Sequence, residues 1–132
     1  MKFTKQEVAT ARQLKQLGLP WEPNVGHYVR DEAGIINCES PFGDSVFFIL
    51  DLKHFLRRAG TIENIKRDLC WLPTWFDART ILHELDVPDD LIVARLQEAL
   101  ALEKGVERLC LYQLIEESLI NHPNIQPIDN FG

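Results

Sequence analysis

No stretch of the sequence approaches the roughly 18 consecutive apolar residues that a membrane-spanning helix requires. The opening "MKFTKQEVATARQ" also lacks the apolar run of a secretory signal. Cysteine is scarce and odd in number: Cys38, Cys70 and Cys110 cannot all pair within one chain and lie far apart. They read as free thiols of a reducing compartment, so the expected setting is cytoplasmic, with no membrane. Gly26, Gly34, Gly43 and Gly60 stand alone, without the spacing of a Walker or dinucleotide loop. The four histidines, at 27, 54, 83 and 122, are dispersed, and no two cysteines have a zinc-ligand spacing. Even "HELDV" (83–87) puts Val87 where a metal-binding HExxH needs its second histidine. No metal is expected, and no residue pattern asks for a cofactor.

Positive charge is short as well. Residues 1–66 carry nine Lys and Arg against eight Asp and Glu, whereas 67–132 carry five against twelve, giving a net charge of −6 for the chain. An acidic C-terminal half repels phosphate backbones and anionic lipid, which counts against nucleic acid as a partner. The one locally basic stretch, 53–67, has Lys53, His54, Arg57, Arg58, Lys66 and Arg67 on two short helices, the length of a helix-turn-helix. Its second helix balances those cations with Glu63 and Asp68. Alignment on Gly60 puts Leu56 where that motif wants a small residue and Lys66 where it wants a buried aliphatic.

What is present is a core. At 132 residues with 45% hydrophobic and 26% charged content, the chain has the balance of a soluble globular protein. One domain is expected over 1–120, followed by an irregular tail over 121–132. Thr4 and Glu7 have capping-box spacing, with Val8, Ala11 and Leu14 on the buried side of the helix they open. Gly18 suits the left-handed position beyond its end, Leu19 can fold back on Leu14, and Pro20 forbids continuation. Three β-type runs follow: "GHYV" (26–29), "IINC" (35–38) and "SVFFIL" (45–50). Asp51 and Thr61 cap two short helices separated by Gly60, "CWL" (70–72) is long enough for one edge strand, and Thr74 with Asp77 repeats the capping box. Pro88 suits the first position of a further helix, which Gly105 breaks before a last one at about 106–120. The expected fold class is α+β: a small antiparallel sheet over about 26–50, with a possible edge at 70–72, packed with an N-terminal helix and several C-terminal helices.

Two clusters are candidates for function. Trp21, His27, Cys70, Trp71, Trp75, Asp77 and His83 could line a pocket for a small molecule, with Cys70 as nucleophile and His83 as base in an enzymatic version. The residues name no ligand. Against catalysis, Cys70 lies between Leu69 and Trp71, where a thiol behaves as a small hydrophobe. Packing alone accounts for the tryptophans, with Trp71 and Trp75 clamping the joint around Pro73. The stronger signal is in 91–120, where eighteen of thirty residues are apolar. A surface helix normally carries only an apolar stripe. Leu91, Ile92, Leu96, Leu100, Leu111, Leu114, Ile115 and Leu119 therefore form a candidate interface, most simply a homodimer. The expected function is a non-enzymatic interaction or regulatory module. Small-molecule binding near Cys70, Trp71 and His83, and nucleic-acid binding through 53–67, are the alternatives.

"LGLPWEPNVGHYV", "VFFILDLKHFLRRAG" and "CWLPTWFDARTIL" resemble segments of small uncharacterised bacterial and phage-borne proteins, which pair an "LGLPWEP"-like opening with a "WLPT"-like turn into a helix. The resemblance covers about 14–85. It implies shared turns and packing and a bacterial or phage-associated setting, and it brings no activity or catalytic residue with it.

Overall fold

The structure is a computed structural model, and it describes residues 1–36 and 38–121. The expected tail over 121–132 lies, apart from Asn121, outside the described residues. The fold is α+β with a small three-stranded antiparallel sheet, as the sequence pattern predicts. The described residues form two compact units: 1–3 with 21–72, and 4–20 with 73–121.

In the first unit, β1 (Tyr28–Asp31) is the central strand, flanked by β2 (Val46–Phe48) and β3 (Leu69–Leu72) in the order β2-β1-β3. Val29 faces Phe47 on one side and Trp71 on the other, and Tyr28 faces Phe48 and Leu72. Two helices separate β2 from β3: α2 (Leu52–Ala59), capped by Asp51, and α3 (Ile62–Asp68), capped by Thr61. Gly60 ends α2 at φ +95°, a conformation that excludes most side chains. Val29, Ile36, Phe47, Ile49, Phe55, Ile65 and Leu69 form one buried cluster that seats both helices on the sheet.

Ile35, Ile36 and Cys38 do not form the strand expected over 35–38, of which Asn37 lies outside the described residues. The Asp31 carboxylate accepts the N–H groups of Ile35 at 3.0 Å and Ile36 at 2.8 Å, after a left-handed Gly34. Those donors are then committed to a side chain and cannot enter a ladder. Ile36 still enters the core, but from a loop, and β1 takes β2 as its hairpin-side partner instead.

The second unit is helical. Helix α1 (Lys5–Gln16) has the predicted capping box between Thr4 and Glu7. It closes with Leu19 N–H on Leu14 O and Gly18 N–H on Lys15 O, both at 3.0 Å, the two bonds of a Schellman end. Helix α4 (Trp75–Glu84) opens on the second capping box, Thr74 with Asp77. Then come α5 (Asp89–Glu98), α6 (Ala101–Lys104) and α7 (Glu107–Asn121). Helix α7 buries Cys110, Leu111, Tyr112, Leu114, Ile115, Ser118 and Leu119, and contacts α1, α4, α5 and α6. Those residues make up its buried side, while Gln113, Glu117 and Asn121 stay exposed. Tyr112 brings a hydroxyl into that interior and donates it to Pro73 O.

Gly105, left-handed at φ +68°, ends α6 before the last helix as the sequence indicates, and a further break separates α5 from α6. Leu100 adopts φ +50°, ψ +41°, a left-handed conformation that a γ-branched residue takes up at a cost of about 1–2 kcal/mol.

Candidate functional site

The seven residues of the candidate pocket divide between the units. Trp21, His27, Cys70 and Trp71 belong to the first, and Trp75, Asp77 and His83 to the second.

Within the first unit, three of them meet. The indoles of Trp21 and Trp71 stack with centroids 6.2 Å apart and planes 11° from parallel, and His27 lies 5.0 Å from Trp71. Trp21 comes from the irregular segment ahead of β1, while Trp71 is carried in register beside Val29. Trp21 Nε1–H donates to His27 Nδ1 at 3.0 Å, so that nitrogen must present a lone pair rather than a proton. The indole Nε1 of Trp71 is buried and lacks a hydrogen-bond partner. Cys70 is only 1% exposed, and its Sγ lies 3.7 Å from Trp71 O. That is the environment of a packed thiol.

Within the second unit, Asp77 is occupied as a cap, accepting Thr74 N–H at 3.0 Å. His83 is exposed in the last turn of α4. Trp75 does not pack inside as expected. It is 45% exposed at the first position of α4, one turn ahead of the buried Ala78, Ile81 and Leu82. The Arg79 guanidinium sits 5.3 Å from its ring centroid and 3.6 Å from Asp89 Oδ1. Phe76, beside it, is 73% exposed.

The candidate interface residues separate by depth. Ile92, Leu111, Leu114, Ile115 and Leu119 are buried, Leu96 is half-buried, and Leu91 and Leu100 are exposed. Leu102 joins the exposed set at 80%. Cys110, beside Leu111, has its thiol pushed up from its ordinary value by burial, and it reaches Arg95 O at 3.9 Å.

In the basic stretch 53–67, Lys53, Arg57 and Arg58 are exposed on α2. The cations of α3 have carboxylate partners: Lys66 with Glu22 at 2.6 Å and Arg67 with Asp68 at 2.8 Å. Among the described residues, no three His, Cys, Asp or Glu side chains come together as a metal-holding group. No helix among them is long and apolar enough to cross a membrane.

Sequence reasoning missed a cleft of about 410 Å³ in the first unit. Ile36 and Cys38 line one part of it, Pro41 and Phe42 another, and Phe47, Phe48 and Leu50 the strand side. Asp51, His54 and Phe55 close it from the start of α2. A volume within about 300–1,000 Å³ is typical of small-ligand sites. The turn that carries Phe42 is strained: Gly43, Asp44 and Ser45 have φ of +77°, +55° and +62° in succession. Arg30 holds it by donating Nε–H to Asp44 O at 3.2 Å, and Phe42 meets Tyr28 edge-on at 5.4 Å. The available sequence signal was Phe42 itself, a large aromatic inside the turn-forming "ESPFGD".

The chain matches no family model, no curated protein and no solved structure.

Proposed function

We propose that this chain is a non-enzymatic cytosolic interaction module that pairs with a second copy of itself through α5 and α6. The observation that carries this reading is Leu100, left-handed and yet 48% exposed. Within one chain about half of the side chain is covered, which roughly cancels its strain of about 1–2 kcal/mol and leaves no surplus. A contact that covers the rest of Leu100 and the largely exposed Leu102 adds roughly 2–4 kcal/mol, more than the strain itself. Leu91 and Val93 remain exposed on α5 after Ile92 has been buried, which adds apolar surface to the same hairpin of helices. A copy of the same chain is the simplest occupant, because self-complementary twofold contacts dominate among oligomers. The resemblance of 14–85 to bacterial and phage-borne proteins supplies the proposed setting.

Native mass spectrometry at low micromolar concentration tests the reading. The expected result is a two-chain mass that Leu102→Ser shifts to one chain without loss of helical signal. A wild-type chain that stays monomeric at tens of micromolar overturns it.

A further inference from the structure

The cleft of the first unit combines apolar walls with a polar group at one place. Four of its lining residues are phenylalanines, so the complementary surface is a flat ring. Asp51 and His54 are its acidic and imidazole groups, three residues apart at the start of α2. Asp51 is the one lining carboxylate, and it already uses Oδ1 to cap Lys53 N–H at 2.9 Å. It sets the sign of what can approach: a hydrogen-bond donor, neutral or cationic, is complementary, and a carboxylate is repelled. The strained turn under Phe42 is the second observation. Consecutive left-handed non-glycine residues are retained where surrounding structure holds them, and such strain clusters at ligand clamps.

We infer that this cleft binds a small planar aromatic molecule bearing one hydrogen-bond donor, a phenol or aryl amine in chemical class. The ring lies against Phe42 and Phe48, and the donor faces Asp51 and His54. This site is separate from the α5–α6 contact and does not depend on it.

Cys38 makes the proposal testable without a label. It lines the cleft and is the one exposed cysteine of the three, Cys70 and Cys110 being buried. The reaction of native protein with a disulfide reagent is followed in the presence of 2-naphthol and, separately, of 2-naphthoate. The expected result is a saturable, severalfold slowing of the Cys38 reaction by 2-naphthol and none by 2-naphthoate. His54→Ala, at an exposed position whose ring meets Phe55 edge-on at 5.7 Å, should weaken that protection roughly tenfold while unfolding at the wild-type urea midpoint, as loss of one hydrogen bond with partial charge predicts. An unchanged Cys38 rate in saturating 2-naphthol overturns the cleft as a site. Equal protection by 2-naphthoate, or full protection in His54→Ala, overturns the assignment of the donor to Asp51 and His54.

Discussion

Glu7 serves two structures with one carboxylate. Its Oε1 accepts Thr4 N–H at 2.7 Å to complete the capping box of α1, and Arg108 Nη2–H reaches the same oxygen at 2.9 Å from α7. Residues a hundred positions apart are thereby joined at a site where Glu7 is almost fully buried. Burial pushes the carboxyl up, but the Arg108 guanidinium and the Thr4 donors together outweigh it and hold it below its ordinary value. A carboxylate lowered in this way adds stability that is fully present above the ordinary carboxylate range. That stability is lost as pH falls through the folded value. Glu7→Gln should cost about 1–3 kcal/mol at neutral pH, because Arg108 then loses its charged partner. Urea unfolding followed by circular dichroism between neutral and acid pH should show the gap between wild type and Glu7→Gln closing on acidification. A gap that is constant with pH would remove the ion pair from this account.

At the scale of elements, the α5–α6 junction carries the sharpest conflict between local preference and observed conformation. Glycine takes the left-handed conformation of Leu100 without steric cost, so Leu100→Gly relieves about 1–2 kcal/mol of strain, less what glycine's freedom in the unfolded chain takes back. The single chain should gain no more than about 0.5 kcal/mol, because the covered half of the Leu100 side chain is lost as well. The same change removes an exposed apolar side chain, so the proposed dimer should weaken while the monomer strengthens. Urea midpoints measured under dilute, monomeric conditions and native mass spectra measured at higher concentration read the two effects separately. A loss of monomer stability would mean that Leu100 is held by packing rather than strained against it.

For the whole molecule, the net charge of −6 decides how association responds to salt. Two copies carry the same sign, so their long-range interaction opposes pairing. Raising ionic strength from roughly 0.01 M to 0.15 M shortens the screening length from about 30 Å to about 8 Å and should increase the dimer fraction. Binding through 53–67 to a polyanion would respond oppositely, because released counterions oppose it at high salt. Sedimentation velocity at the two ionic strengths, with heparin retention beside it, separates the cases. Dimer growth with salt and flow-through on heparin are expected. Salt-sensitive retention would restore the nucleic-acid alternative.

The caps were legible in the sequence because each is closed within a few residues. Thr4 with Glu7, Thr74 with Asp77, and Gly18 after α1 need no distant partner, and they appear as read. The apolar excess over 91–120 was legible too, but not whether it is covered within one chain or by a second; α7 buries most of its own share. Pairing between strands was a different matter. Whether Ile35 and Ile36 join a ladder depends on Asp31 taking their donors, and β3 pairs with β1 across two intervening helices. The cleft and the exposure of Trp75 and Leu100 have the same origin. A side chain's surroundings are set by which elements arrive beside it, so periodicity could choose the buried face of α4 but not how far the packing reached along it. Local hydrogen bonding therefore determined the elements and their ends. The tertiary structure decided which apolar groups found partners and which were left outward for something else.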